Sequence, residues 1–203
     1  MPGMRCLLFL CLFLSQEWVH VSSGIAGLSK FFRSKYKGAY TDMRRHTSSS
    51  NAKYRKHDPV VTDHLLIDMN EMLYASFNKA RDSKYFMART FTILDNILRT
   101  VQPRETLVLA FDGPAPFAKM QTQRSRRISS PMNSLITPGT DFMSSMEDVM
   151  VCYVLQRIRR PQLENVTVFI SGSDCPGEGE LKLIDWIQTV MPSREDNLVI
   201  CGS

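Results

Sequence analysis

The sequence predicts an α/β fold built on a parallel sheet. Short apolar runs alternate with longer stretches of helical periodicity, and the apolar runs end in an acid or a Ser-Gly turn. No internal repeat breaks the alternation, and no apolar run is long enough to span a bilayer.

The elements follow in order. Met1–Arg5 carries a positive charge, Leu7–Leu14 is an unbroken apolar run, and small residues follow at Ser22, Ser23 and Gly24. That layout, over residues 1–26, is that of a secretory signal peptide or of a mis-assigned leader, and it predicts no stable membrane span. Gly27–Arg33 looks like the entry to a domain over 27–203. Residues 37–63 form a polar stretch without periodicity, expected as a surface loop. His64–Met69 reads as a buried strand carrying Asp68. Glu71–Val101 is helical in period, with a break at Asp82-Ser83 that divides it in two. Thr106–Phe111 is a second buried strand, followed by Asp112-Gly113-Pro114. A basic helix is expected over Pro116–Ile128, and another from the Ile136–Gly139 loop to about Ile158. Asn165–Ile170 is a third strand, Glu178–Val190 a helix, and Leu198–Ile200 the start of a fourth strand.

Composition limits the function classes. Of 203 residues, 43% are hydrophobic and 22% charged, which excludes global disorder. A net charge of +5 and a pI near 9.0 are compatible with a polyanionic partner without demanding one. Cys6, Cys11, Cys152, Cys175 and Cys201 show no zinc-ligand spacing, and their odd number argues against a disulfide framework.

The acids carry the chemistry. Asp68 and Asp112 end successive strands, on the sheet edge where open α/β proteins bind ligands. Glu178 and Glu180, in Pro-Gly-Glu-Gly-Glu, follow the third strand at a helix start. Taken singly, such an Asp serves as a helix cap or turn former, and the two Glu are favourable charges at a helix N-terminus. Together they form a carboxylate cluster that would repel itself without a cation. Oxygen ligands alone select a hard ion, Mg²⁺ or Mn²⁺, and a pair of such ions about 4 Å apart serves phosphodiester hydrolysis. Downstream, Lys119, Gln123 and Arg126 or Arg127 recur at helical spacing, so one face carries bases and an amide donor suited to a terminal phosphate.

With "GLSKFFR", "LLIDMN", "AFDGPAPFAKMQTQRSRR", "ITPGTDFM" and "SGSDCPGEGELK" in order, the sequence over Gly27–Ser203 resembles the N-terminal catalytic region of the XRN family of 5′→3′ exoribonucleases. The resemblance implies a Rossmann-like sheet flanked by helices, related to PIN and flap nucleases. It also implies processive degradation of single-stranded RNA bearing a 5′-monophosphate. By motif, the catalytic and metal-binding acids are Asp68, Asp112, Glu178 and Glu180, and the 5′-phosphate pocket is Lys119, Gln123, Arg126 and Arg127. Where the family has "DMNG" and then a His, this chain has Glu71 and Tyr74; a Tyr can still stack on the first base. The family places two more metal-binding Asp after the strand at Leu198–Ile200, where this sequence stops, so a fragment is expected. The family works in cytoplasm and nucleus, whereas the leader suggests a secretory or organellar route; protein partners are not implied. Two other classes share these features: a structure-specific flap endonuclease, and a truncated, non-catalytic RNA 5′-phosphate-binding protein.

Overall fold

Strands whose inward residues are apolar on both sides need cover on both faces, and the fold supplies it. The computed structural model describes residues 6–7, 34–35, 59–77, 82–115, 117, 134–190, 193 and 195–202. The strands are β1 (Cys6–Leu7), β2 (Val60–Asp68), β3 (Val101–Ala110), β4 (Thr167–Ser171) and β5 (Leu198–Cys201). They form one parallel sheet in the order β1-β5-β2-β3-β4. The helices are α1 (Met69–Phe77), α2 (Ser83–Thr100), α3 (Asp141–Arg157) and α4 (Gly179–Val190). All of these lie in one compact unit, residues 1–11 and 60–202. In the second unit, residues 12–59 with Ser203, residues 34–35 are helical and exposed. The helix expected at Pro116–Ile128 falls outside the described residues except for exposed Phe117.

Alternation sorts the core. Leu66, Val108, Ala110, Leu183 and Leu198 pack together under α4, with Trp186, Ile187 and Ile200 against them. Leu65, Ile67, Leu107 and Leu109 are also buried and alternate with that set, so they point to the opposite face of the sheet. Each such side chain contributes about 1.5–3 kcal/mol by leaving water. The helices α2 and α3 meet through Phe86–Phe142 and through Phe91 stacked on Tyr153. A polar lock closes the same interface: Arg157 donates twice to the Asp95 carboxylate (2.8 and 2.7 Å), and the Tyr153 hydroxyl donates to it at 2.6 Å.

The break expected at Asp82-Ser83 is real, because Asp82 caps α2 by accepting from the Tyr85 N–H at 2.7 Å. Likewise Thr140 caps α3, just after Gly139, which has φ +81°. Two boundaries differ from the sequence reading. β2 begins at Val60, inside the stretch expected as polar loop. β3 begins at Val101, which helical periodicity had placed at the end of the preceding helix. The reason is pairing: Val60, Val61 and Thr62 pair with Val101, Gln102 and Pro103, and the register then shifts so that His64 faces Thr106. The polar residues there are spent on the sheet. The Thr62 hydroxyl donates to the Asn197 carbonyl at 2.7 Å, and the Asp63 carboxylate accepts from the Asn197 N–H at 2.8 Å. Pro103, which lacks an N–H, sits at that irregularity.

Connectivity fixes where a ligand can go. The chain runs from β2 outward to β3 and β4, then crosses back to place β5 on the other side of β2. The direction of winding therefore reverses between β2 and β5, the place where open α/β sheets leave a crevice at the carboxyl ends of their strands. Asp68 is the last residue of β2. Beside β5, a Cβ built on Gly202 would lie 3.4 Å from the Asp68 Cβ. Alongside β5, Cys6 and Leu7, within the stretch expected as a leader outside the domain, pair with Leu198 and Val199.

Candidate active site

Two helix N-termini converge on the carboxyl end of the sheet and organise its acids. Asp68 precedes α1, and its Oδ1 accepts the Asn70 N–H at 3.0 Å. The Glu71 N–H also stabilises its charged form. Asp68 is therefore the cap of α1 as well as a candidate ligand, the two readings that the sequence set side by side. Asp112, two residues past β3, accepts on Oδ1 from the N–H of Gly179, the first residue of α4, at 2.7 Å. Its own N–H donates to Asn70 Oδ1 at 3.1 Å.

The acids at this corner are only partly compensated. Burial, then the neighbouring Asp112, pushes the Asp68 carboxyl up to about 7, with Glu180 adding to the rise and the two helix N–H groups opposing it. Asp112 is also raised, first by burial; the Gly179 N–H opposes the shift, Glu178 reinforces it, and Lys182 opposes it. Glu71 is raised by burial and by Glu180. All four predicted acids thus act on this one corner, and Glu71 joins them. They do not close on a common point: among the described residues, no three Asp, Glu, His or Cys side chains form a group able to hold a metal ion. The donor chemistry nevertheless fits a hard divalent cation, since Asp68 and Asp112 are desolvated, carboxylate-only and mutually repelling.

Tight turns bring the pieces together. The Gly113 N–H donates to the Gly177 carbonyl at 2.7 Å, and the Gly177 N–H returns to the Pro114 carbonyl at 3.1 Å. A side chain at Gly113 would overlap the carbonyl oxygen of Cys175. Gly179 is confined too, because its Cβ would lie 2.8 Å from Asp68 Oδ1 and 3.3 Å from the Ala110 carbonyl oxygen. The Lys182 ammonium donates to the carbonyls of Phe111 (2.8 Å) and Gly172 (2.6 Å), tying the ends of β3 and β4. Glu147 of α3 accepts the Ser173 N–H at 2.7 Å and holds the loop that leads to Glu178.

Of the other predicted residues, Tyr74 lies half-buried on α1. Lys119, Gln123, Arg126 and Arg127 lie outside the described residues. Asn70, Lys182, Glu147 and Gly179, which tie this corner together, were not singled out in the sequence. Asn70 stood inside "LLIDMN", and Gly179 and Lys182 inside "SGSDCPGEGELK", but no spacing there singled out their hydrogen bonds. Glu147 gave no sequence signal at all.

Comparison with known proteins agrees with this architecture. The family model described as "XRN 5'-3' exonuclease N-terminus" matches residues 23–135 and 132–203. The 5'-3' exoribonuclease 2 of Gallus gallus is 29% identical over 184 residues, covering 70% of this chain and 19% of the relative. The 5'-3' exoribonuclease 1 of Schizosaccharomyces pombe is 29% identical over 171 residues, covering 68% and 13%. For the 5'-3' exoribonuclease 1 of Homo sapiens the identity is 27% over 180 residues, covering 72% and 11%. The chain thus spans between 11% and 19% of the length of these relatives. With the family model matching nearly its whole length, the chain belongs to the family of XRN 5′→3′ exonuclease N-terminal domains.

Proposed function

We propose that this chain is the N-terminal catalytic segment of a 5′→3′ exoribonuclease acting on single-stranded RNA with a 5′-monophosphate. The observation that carries the reading is the pair of carboxylates, buried Asp68 and half-buried Asp112, at the reversal point of a sheet belonging to this family. Asp68, Asp112, Glu178 and Glu180 would hold Mg²⁺ or Mn²⁺. The cation would neutralise the cluster, make a bound water more acidic and stabilise the leaving oxygen in phosphodiester hydrolysis. The chain's own contribution is to fix Asp68 and Asp112 by helix N–H groups and to bring α4 against them through Gly179. Lys119, Gln123, Arg126 and Arg127 would grip the 5′-phosphate, and Tyr74 would stack on the first base.

The test compares 3′-labelled RNA carrying a 5′-phosphate with the same RNA carrying a 5′-hydroxyl, in Mg²⁺. Both the 203-residue chain and the product of the complete transcript are assayed. Expected are mononucleotides from the phosphorylated RNA only, lost in Asp68→Asn and Asp112→Asn. Internal cleavage, or preference for a DNA flap, would overturn the reading in favour of an endonuclease. Tight binding of the 5′-phosphate by both polypeptides without any turnover would make the protein a binder rather than an enzyme.

A further inference from the structure

Asn70 sits between buried Asp68 and half-buried Asp112. Its backbone N–H donates to Asp68 Oδ1 at 3.0 Å, and its side-chain Oδ1 accepts the backbone N–H of Asp112 at 3.1 Å. It is 5% exposed, in the first turn of α1. Asn is a poor choice for a helix interior, since its side chain competes for backbone hydrogen bonds. Here that competition is used across the sheet: the side chain of a β2-α1 residue holds the backbone that follows β3. Oδ1 accepts from the residue that carries the second carboxylate, so the turn at Asp112 cannot rotate without breaking the bond.

We propose that Asn70 is a positioning residue, which locks the Asp112 turn to the Asp68 cap and so sets the separation of two carboxylates that share one divalent cation. The cation part of this inference rests on the metal-dependent reading above, while the locking part does not. Asn70 hydrogen-bonds on one side to the Asp68 carboxylate and on the other to the Asp112 backbone, while the Asp112 carboxylate itself is held from α4 by the Gly179 N–H. Groups that orient ligands from outside the coordination shell commonly change metal affinity by about 10–100-fold when lost.

The experiment uses the whole 203-residue chain with Asn70→Ala and Asn70→Asp, the latter retaining an acceptor oxygen in the same place. Two quantities are read: hydrogen exchange of individual backbone amides, and Mn²⁺ binding followed by the electron-spin signal of the free ion. In Asn70→Ala the Asp112 amide should exchange at least about tenfold faster while the Leu109 amide is unchanged. Mn²⁺ affinity of the folded protein should fall by about 10–100-fold, and Asn70→Asp should restore both. Unchanged Asp112 exchange in Asn70→Ala overturns the inference whatever the metal does. So does a loss of Mn²⁺ binding that merely follows the unfolded fraction. If exchange responds as expected but the wild-type chain binds no Mn²⁺, the lock stands, and the sharing of a cation fails together with the metal-dependent reading.

Discussion

Replacing Gly179 by Ala sets a steric cost against a helix-propensity gain, and the structure decides the sign. Gly179 is not among the positive-φ glycines, so Ala can adopt its backbone. Ala is the better helix former by up to about 1 kcal/mol in a helix interior, and by less in a first turn. Against this, the new methyl would stand 2.8 Å from Asp68 Oδ1, 3.2 Å from its Cγ and 3.3 Å from the Ala110 carbonyl oxygen. The Asp68 side chain is short and buried, and the same oxygen accepts the Asn70 N–H. It can move only by giving up the cap of α1, worth about 0.5–2 kcal/mol. The alternative is to push α4 off the sheet, at about 1–3 kcal/mol of overpacking strain. The net expectation is a loss of about 1–2 kcal/mol, or a fall in Tm of roughly 2–8 °C for a domain of this size. Urea denaturation monitored through Trp186, packed between His64 and Phe169, reads this directly. A Gly179→Ala protein as stable as the parent, or more so, would show that α4 does not press on Asp68 and would remove the steric part of the argument.

Three further outcomes follow from the same contacts. Lys182→Met keeps the stem but leaves the Phe111 and Gly172 carbonyls without their charged donor; stability should fall by about 2–3 kcal/mol in urea denaturation, and an unchanged midpoint would refute the tie between β3 and β4. Burial pushes the Asp95 carboxyl upward, but the hydrogen bonds from Arg157 and Tyr153 outweigh it and hold the group below its usual range. A lowered folded pKa stabilises above the unfolded value of about 3.9 and is lost as pH falls through the folded value. The stability advantage of the parent over Asp95→Asn should therefore be full at neutral pH and shrink below about pH 4; a difference independent of pH would sink the assignment. Mn²⁺ at roughly a hundredfold excess over its Kd should add about 2.7 kcal/mol of stability, with no gain in Asp112→Asn, and equal gains in the two proteins would place the ion elsewhere.

Strands and helices were legible because burial on both sheet faces leaves a continuous apolar run, as in Leu65-Leu66-Ile67, that few other structures produce. The ends of β2 and β3 were not, because Thr62, Asp63 and Pro103 are paired through a register shift and through Asn197, more than a hundred residues away. No local pattern encodes that pairing. The acids were found by their position after strands, a consequence of topology that the alternation already contains. Glu71 was noticed only as a departure from a motif. Its carboxylate became relevant once folding buried it and α4 brought Glu180 near, both of which raise its pKa. Glu147 needed the approach of α3 to the loop at Ser173, which a sequence does not announce.

The two readings of Asp68, helix cap and metal ligand, are one electrostatic statement. A strand that ends in an acid and runs straight into a helix places that acid at the positive end of the helix dipole, and the N–H groups of Asn70 and Glu71 favour its charge. A helix terminus amounts to about half a unit of positive charge and can offset only part of one carboxylate. Asp112 draws on the second terminus, at Gly179. Burial and the neighbouring acids still leave both carboxyls raised, Asp68 to about 7. Two helix ends therefore hold two acids in place without neutralising them. A site built this way stays short of positive charge, which is what the proposed divalent cation would supply.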